Sequence, residues 1–250
     1  MAKERGSILK LRLHHVNKSF QTKKVLEDIS FEVKEGEFVS LIGPSGSGKS
    51  TLFALIGGII APDDGDILLE ERSIVNQTGF ISYMPQQDAL FPWRTILKNV
   101  LLGQELYGKA DTERAKEMLQ KAGLADVMYA YPHELSGGMR QRASFIRALL
   151  SPQHMLCLDE PFSALDEFTR MDMQKWLLAT WEQHEQSILF ITHSIEEALL
   201  LSDKIVVLTD APATIKDVIS VPFSRLRDEE LLLSDHFFEW KRKIIKIIQA

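Results

Sequence analysis

The sequence predicts an α/β fold: a core of strands and helices around a phosphate-binding loop, with an antiparallel β subdomain toward the N-terminus and an inserted helical subdomain. Three observations predict it. Gly43-Pro44-Ser45-Gly46-Ser47-Gly48-Lys49-Ser50 fits the pattern G-x-x-x-x-G-K-S/T at every fixed position. The apolar, β-branched run Phe38 to Ile42 leads into it as a buried strand would, and Thr51 to Ile56 continues as a helix. Apolar spacing then turns helical over roughly residues 90 to 150, after which strand-like runs return.

In chain order, Ile8 to Val16 alternates apolar and polar residues as a half-buried antiparallel strand, with His14 and His15 as ordinary strand positions. Val25 to Val33 reads as the next strand, and Lys34-Glu35-Gly36-Glu37 as the turn into the core strand. Past the first helix, Pro62-Asp63-Asp64-Gly65 is a turn, and Asp66 to Leu69 and Gly79 to Met84 are short strands. Ile96, Val100, Leu101 and Leu106, then Ala115, Met118, Leu119 and Ala122, recur at helical spacing up to a Gly123 stop. Core strands are expected at Met155 to Leu158, Ser187 to Thr192 and Lys204 to Thr209, with a helix over Asp166 to Gln183 whose Met173, Trp176, Leu177 and Trp181 pack inward. The tail from Asp235 is an amphipathic helix, Phe237, Trp240, Ile244 and Ile248 on one side and Lys241-Arg242-Lys243 on the other. The expected organisation is one domain over 1–250: residues 8–89 and 151–210 as the α/β core with its β subdomain, 90–150 as the helical subdomain and 211–250 as a C-terminal extension.

A chain of 250 residues can bury a large core, and its formal net charge of −6 argues against a broad nucleic-acid footprint. No nucleic-acid partner is expected. The lone Cys157 lies in an apolar run and fits a buried thiol in a reducing compartment. Met1 to Ser7 is charged and lacks the apolar core of a secretion signal, and the longest apolar run, Leu52 to Ala61, is broken by Gly57-Gly58.

The loop residue types carry the chemistry. Glycines let the backbone curl until successive N–H groups point inward, and the helix N-terminus adds partial positive charge. Gly43 to Ser50, with Thr51, would hold the β- and γ-phosphates of a nucleotide, Lys49 would supply a point charge and the Ser50 hydroxyl would ligate Mg²⁺. Met155 to Leu158 ends in Asp159 and Glu160; two adjacent acids there can be surface charge, but in phosphate-loop ATPases the first such carboxylate belongs beside Mg²⁺ and the second can accept a proton from attacking water. Leu135-Ser136-Gly137-Gly138-Met139-Arg140-Gln141 opens a helix, expected over Met139 to Leu150, with a hydroxyl and bare N–H groups.

With that element the chain resembles the ATP-binding cassette (ABC) ATPases, whose signature is LSGGQ or a close variant. The resemblance covers about residues 8 to 210 and five ordered motifs. It implies that Ser136, Gly137 and Gly138 cap the γ-phosphate of ATP held by a partner subunit, so that the protein works as a homodimer or paired cassette. It implies that Gln86 contacts Mg²⁺ and the attacking water, that Asp159 and Ser50 complete the metal ligands, that Glu160 is the catalytic base and that His193 touches the γ-phosphate. Pro161 to Asp166 matches the D-loop, Asp166 included. Phe20 stands where the family stacks an aromatic ring on adenine, commonly Tyr; Ser194 replaces a frequent Asp and is expected to cap the next helix.

The segment Leu90-Phe91-Pro92-Trp93-Arg94-Thr95 is similar to a region of importer ATPases for nitrate, sulfonate and taurine, with like forms in thiamine-precursor importers. Phe91 and Trp93 read equally well as permease contacts or as packing residues. The implied cofactors are ATP and Mg²⁺, and the implied partners a transmembrane permease and, through it, an extracytoplasmic solute-binding protein. The implied location is the cytoplasmic face of the cell membrane, as a peripheral subunit. A soluble ABC ATPase of DNA repair or translation is the alternative, though such proteins usually carry two cassettes or a long coiled coil.

Overall fold

The computed structural model describes residues 8–184, 186–225, 227 and 229–249. The charged stretch Met1 to Ser7 lies outside them. In chain order the elements are β1 (Leu9–Phe20), β2 (Lys23–Lys34), β3 (Phe38–Ile42), α1 (Lys49–Ile56), β4 (Asp64–Leu69), β5 (Arg72–Ser73), β6 (Ser82–Met84), α2 (Ile96–Leu106), α3 (Thr112–Lys121), α4 (Gly137–Leu149), β7 (Met155–Asp159), α5 (Glu167–His184), β8 (Ser187–Ile191), α6 (Ile195–Leu201), β9 (Lys204–Leu208), β10 (Ile215–Ser220), α7 (Glu229–Leu232) and α8 (Asp235–Gln249). The chain forms two compact units, one running through Ile81 and resuming after His184, the other Ser82–His184.

In the first unit β1 pairs with β2 and β4, and β4 with β5, all antiparallel. Leu11, Leu13 and Val16 point inward, as the alternation requires. The strand runs on to Phe20 because the register slips between Leu13 and Val16, where His15 takes a positive φ of 51°. His15 Nδ1 lies 2.5 Å from Asp28 Oδ1 on the exposed side. The strand that feeds the phosphate loop, β3, is wholly buried and pairs in parallel with β8 on one side and β9 on the other. Parallel strands buried on both faces explain why Phe38–Ile42, Ser187–Ile191 and Lys204–Leu208 read as continuous apolar runs.

The C-terminal extension belongs to this unit. β10 adds antiparallel to β9, and its single buried side chain, Ile219, explains why its alternation is faint. Arg225 pairs with Asp203 at 2.8 Å, and Asp203 in turn accepts from the Phe38 amide at 3.0 Å. Arg227 donates to the Leu199 and Leu200 carbonyls at 2.9 Å each, satisfying the C-terminal end of α6. Burial lowers the Arg227 pKa to about 10, against the raising influence of Asp203. Helix α8 buries Phe237 and Ile244 against Ile42, Leu199, Ile205 and Val207, with Trp240, Ile247 and Ile248 packed alongside. Its basic side is solvated: Lys241 pairs with Glu196, and Lys243 Nζ sits 4.0 Å from the centre of the Trp240 ring.

In the second unit β6 and β7 pair in parallel, Ser82 opposite Leu156 and Met84 opposite Leu158. The strand expected over Gly79 to Met84 begins only at Ser82, since Gly79 takes φ 87°. Helices α2 to α5 supply the rest. Phe145 of α4 packs its ring 5.7 Å from Phe162 and 5.8 Å from Trp176. Cys157 is buried within β7, and burial pushes its thiol well above the usual range. Among the described residues no helix is long and apolar enough to cross a membrane.

Docking of α8 can be measured directly. Phe237→Ala should lower unfolding free energy by about 3–5 kcal/mol in urea titration, whereas a loss below about 1 kcal/mol would mean that the helix contributes little to this core.

Candidate nucleotide and catalytic site

The first unit holds the phosphate loop. Buried β3 ends at Ile42, and the chain turns through Gly43 to Gly48 before α1 begins at Lys49, two residues earlier than periodicity alone marks it. Gly46 and Gly48 sit at φ 78° and 93°, in the left-handed region that glycine enters without penalty. Gly48 is further constrained because a Cβ there would lie 2.8 Å from Val25 and 2.9 Å from Leu26 on β2. The start of α1 has no side-chain cap and no acidic residue in its first turn. Its amide dipoles therefore favour an anion. The Lys49 ammonium curls over the loop and donates to Gly43 O at 3.0 Å, Pro44 O at 2.7 Å and Ser47 Oγ at 3.2 Å. Phosphate oxygens are stronger partners for an ammonium than these neutral acceptors.

Phe20 and His193 are the other expected site residues in this unit. Phe20 ends β1 with its ring half exposed and Lys18 Nζ 5.5 Å from the ring centre. His193 follows β8 with an exposed ring. Both of its neighbours are anchored to α6: Thr192 Oγ1 bonds the Glu197 carboxylate, and Ser194 Oγ caps the helix by accepting from the Glu197 amide at 3.2 Å.

The second unit holds the carboxylates. β7 delivers Asp159 at 2% exposure and is followed at once by Glu160 at φ 47°. That conformation costs a non-glycine residue about 1–3 kcal/mol and persists only when neighbours enforce it. Here the Glu160 carbonyl accepts from the Ser163 amide at 3.2 Å, Ser163 Oγ at 3.0 Å and Gln141 Nε2 at 3.1 Å. On the side chain, Gln86 Nε2 donates to Glu160 Oε2 at 3.1 Å, so two residues 74 positions apart meet. Burial, followed by the Asp159 charge, pushes the Tyr83 hydroxyl up to about 12.

Ser136 caps α4, its Oγ accepting from the Met139 amide at 3.3 Å, so the helix starts at Gly137 rather than Met139. A Cβ on Gly138 would come within 3.2 Å of the Ala164 carbonyl, and Gly137 keeps the backbone bare beside it. Asp166 caps α5 through the Thr169 amide at 3.0 Å and hydroxyl at 2.7 Å, bonds that hold its carboxyl below the usual range. A cavity of about 680 Å³ opens beside Gln86, Asp88, Arg140, Gln141, Ser163 and Ala164.

Three residues without an assigned role in the motifs organise this unit. Asp88 pairs with Arg140 at 2.8 Å, and its carbonyl accepts from Ser144 Oγ at 2.8 Å. Gln141 ties Glu160 to Ala164. Asn99, fully buried, binds the turn before α2 with four bonds: it accepts from the Phe91 amide at 2.8 Å and donates to the carbonyls of Phe91, Arg94 and Thr95 at 3.1, 2.9 and 3.1 Å. That frame displays Phe91 and Trp93 stacked 5.1 Å apart, Trp93 at 72% exposure. Only the Arg140-Gln141 pair after the signature hinted at any of these.

Residues 26–163 match the ABC transporter family model. Over 191 residues the chain is 47% identical to the formylaminopyrimidine import ATP-binding protein ThiZ of Halalkalibacterium halodurans, covering 75% of this chain and 74% of that protein. It is 38% identical over 234 residues to the aliphatic sulfonates import ATP-binding protein SsuB of Bacillus cereus, covering 93% and 91%. Among solved structures, the dimeric ATP-binding cassette MJ0796 bound to ADP and Pi superposes with a TM-score of 0.77 at 29% identity, covering 86% of this chain and 100% of that one. The chain belongs to the ABC transporter family as an ATP-binding subunit, an ATPase of transport.

Proposed function

We propose that this chain is the ATP-hydrolysing subunit of an importer, working as a pair of copies closed around two ATP molecules and driving a permease carried on other chains. The observation that carries the reading is Glu160, held by Gln86 at 3.1 Å in an enforced left-handed turn directly after buried Asp159. A carboxylate fixed this way is oriented before substrate arrives, as a general base for attacking water must be.

In this reading Gly43 to Thr51 cradle the triphosphate, Lys49 meets the phosphates and Phe20 stacks on adenine. Ser136, Gly137 and Gly138 of the second copy cap the γ-phosphate, and Asp166 stands in the D-loop. Glu160 takes the proton from water that Gln86 positions, and His193 steadies the γ-phosphate. The hydroxyl of Ser50, the amide oxygen of Gln86 and the carboxylate of Asp159 make an all-oxygen donor set that suits Mg²⁺. A magnesium ion held by these residues would supply neutralising charge to the bound phosphates. The exposed Phe91–Trp93 stack favours permease contact over packing, because a buried pair would not leave Trp93 open to solvent.

The solute class is that of nitrate, sulfonate and taurine, supported by the Leu90 to Thr95 segment and by likeness to a sulfonate importer subunit over 93% of the chain. A thiamine precursor is the second reading, favoured by the 47% identity to a formylaminopyrimidine importer subunit. Both readings place the protein at the cytoplasmic face of the membrane, served through its permease by a solute-binding protein.

Lys49→Ala should weaken ATP binding about 10-fold to 100-fold by calorimetry, the worth of a charge-assisted contact; unchanged affinity would sink the phosphate-loop assignment. Glu160→Gln should lower kcat about 10²-fold to 10⁴-fold while ATP shifts the protein to a dimer on size exclusion, and retained turnover would remove Glu160 as base. Trp93→Ala should abolish co-purification with the permease without changing the melting temperature, and undiminished capture would return Trp93 to the role of a surface residue.

A further inference from the structure

Gln141 has no part in phosphate or metal binding in the reading above, yet its amide is among the most fully used groups in the second unit. It is buried at 4% exposure. Its Nε2 donates to the Glu160 carbonyl at 3.1 Å and to Ser163 Oγ at 3.0 Å, and its Oε1 accepts from the Ala164 amide at 2.9 Å. Both protons and the oxygen of one side chain therefore clamp a single turn, the turn that starts at Glu160 and reaches Ala164. The clamp is long-range: Gln141 lies on the first turns of α4, five residues past the Ser136 cap, and its partners are 19 to 23 positions away.

We infer that Gln141 is a positioning residue for hydrolysis, holding the Glu160 backbone at φ 47° so that its carboxylate meets Gln86, and tying that geometry to the signature helix α4. Without it the Glu160 carbonyl loses one of the bonds that hold it, the Ser163 hydroxyl loses its Gln141 contact, and the Ala164 amide would have to find another acceptor. A non-glycine residue in the left-handed region then has less to hold it there, and the base samples orientations away from the attacking water. The inference rests on Glu160 being that base.

The test compares Gln141→Leu, which removes all three bonds, with Gln141→Glu, which keeps the acceptor for Ala164 but cannot donate to Glu160 or Ser163 when ionised. Both are measured beside Glu160→Gln for kcat, KM, and ATP-binding stoichiometry by calorimetry. Both Gln141 variants should lose about 10-fold to 100-fold in kcat. They should still bind close to one ATP per chain, with affinity within about twofold of the parent, because the phosphate loop lies on other segments. If Glu160→Gln is inactive while either Gln141 variant turns over at the parental rate, the positioning role is wrong and the Glu160 assignment stands. If binding capacity and kcat fall together in both variants, Gln141 is only structural. If Glu160→Gln itself remains active, the base assignment fails, whatever Gln141 does.

Discussion

The whole structure depends on one backbone constraint: between Ile42 and Lys49 the chain must leave a buried strand, curl through left-handed glycines and enter a helix with its first N–H groups facing one small concavity. The constraint is enforced from three sides. Two parallel neighbours, β8 and β9, hold β3 in register, so the point where the loop begins cannot slide. Val25 and Leu26 of the antiparallel sheet press to within 2.8 and 2.9 Å of where a Gly48 side chain would be, so the loop cannot open away from the concavity. A Cβ on Gly43 would approach the Leu208 carbonyl at 3.1 Å, closing the third side. Gly48 is thus favoured by packing as well as by φ, Gly46 by φ alone and Gly43 by packing alone, and the antiparallel sheet is a wall of the loop.

The second unit solves a different problem by a different means. Its irregular segments, around Gln86 to Thr95 and Glu160 to Asp166, have few strand partners. They are stitched instead by polar side chains that bond backbone groups: Asn99 for the turn before α2, Arg147 for the Asp88 and Ala89 carbonyls at 3.2 and 2.9 Å, Gln141 for the turn after β7. Burial lowers the Arg147 pKa while the Asp88 charge opposes that shift. Side-chain stitches fix geometry at the cost of desolvating polar atoms, and they repay it only if every donor and acceptor finds a partner. Asn99 and Gln141 meet that condition with four and three bonds. A loop held this way is rigid yet rests on single residues, which suits segments that must present an aromatic pair or a carboxylate in one orientation.

Legibility in the sequence follows the same division. Strand, loop and helix at residues 38–56 were readable because local pattern and required order coincide, and the ends missed by two residues at most. The continuation of β1 beyond Val16 was hidden because His14 and His15 both face solvent at a bulge, which breaks the period of two. β10 was hidden because an edge strand with one buried residue carries almost no alternation. For the expected site residues, the sequence pattern and the structure agree on the kind of element: Asp159 at a strand end, Ser136 at a helix cap, His193 after a strand. The meeting of Gln86 with Glu160, and the clamp of Gln141 on Ala164, depend on how α4, β6 and β7 lie together. No spacing rule encodes such a meeting, since its partners are 74 and 23 positions apart.

The C-terminal extension shows why a segment outside every motif can still be integral. The carbonyls that end α6 would be left short of partners at a helix end, and Arg227 supplies two bonds there, to Leu199 and Leu200, and two more to Phe223 and Ser224 of its own segment. Arg225 does the same for Asp203, which already holds the first amide of β3. The extension therefore reaches β3 through one carboxylate and α6 through one guanidinium. Since α6 begins two residues after His193 and its cap, Ser194, is anchored to Glu197, the C-terminal extension helps to fix the segment that presents His193. A residue from the tail and a residue of the expected site are thus separated by a single seven-residue helix, and the packing of one bears on the position of the other.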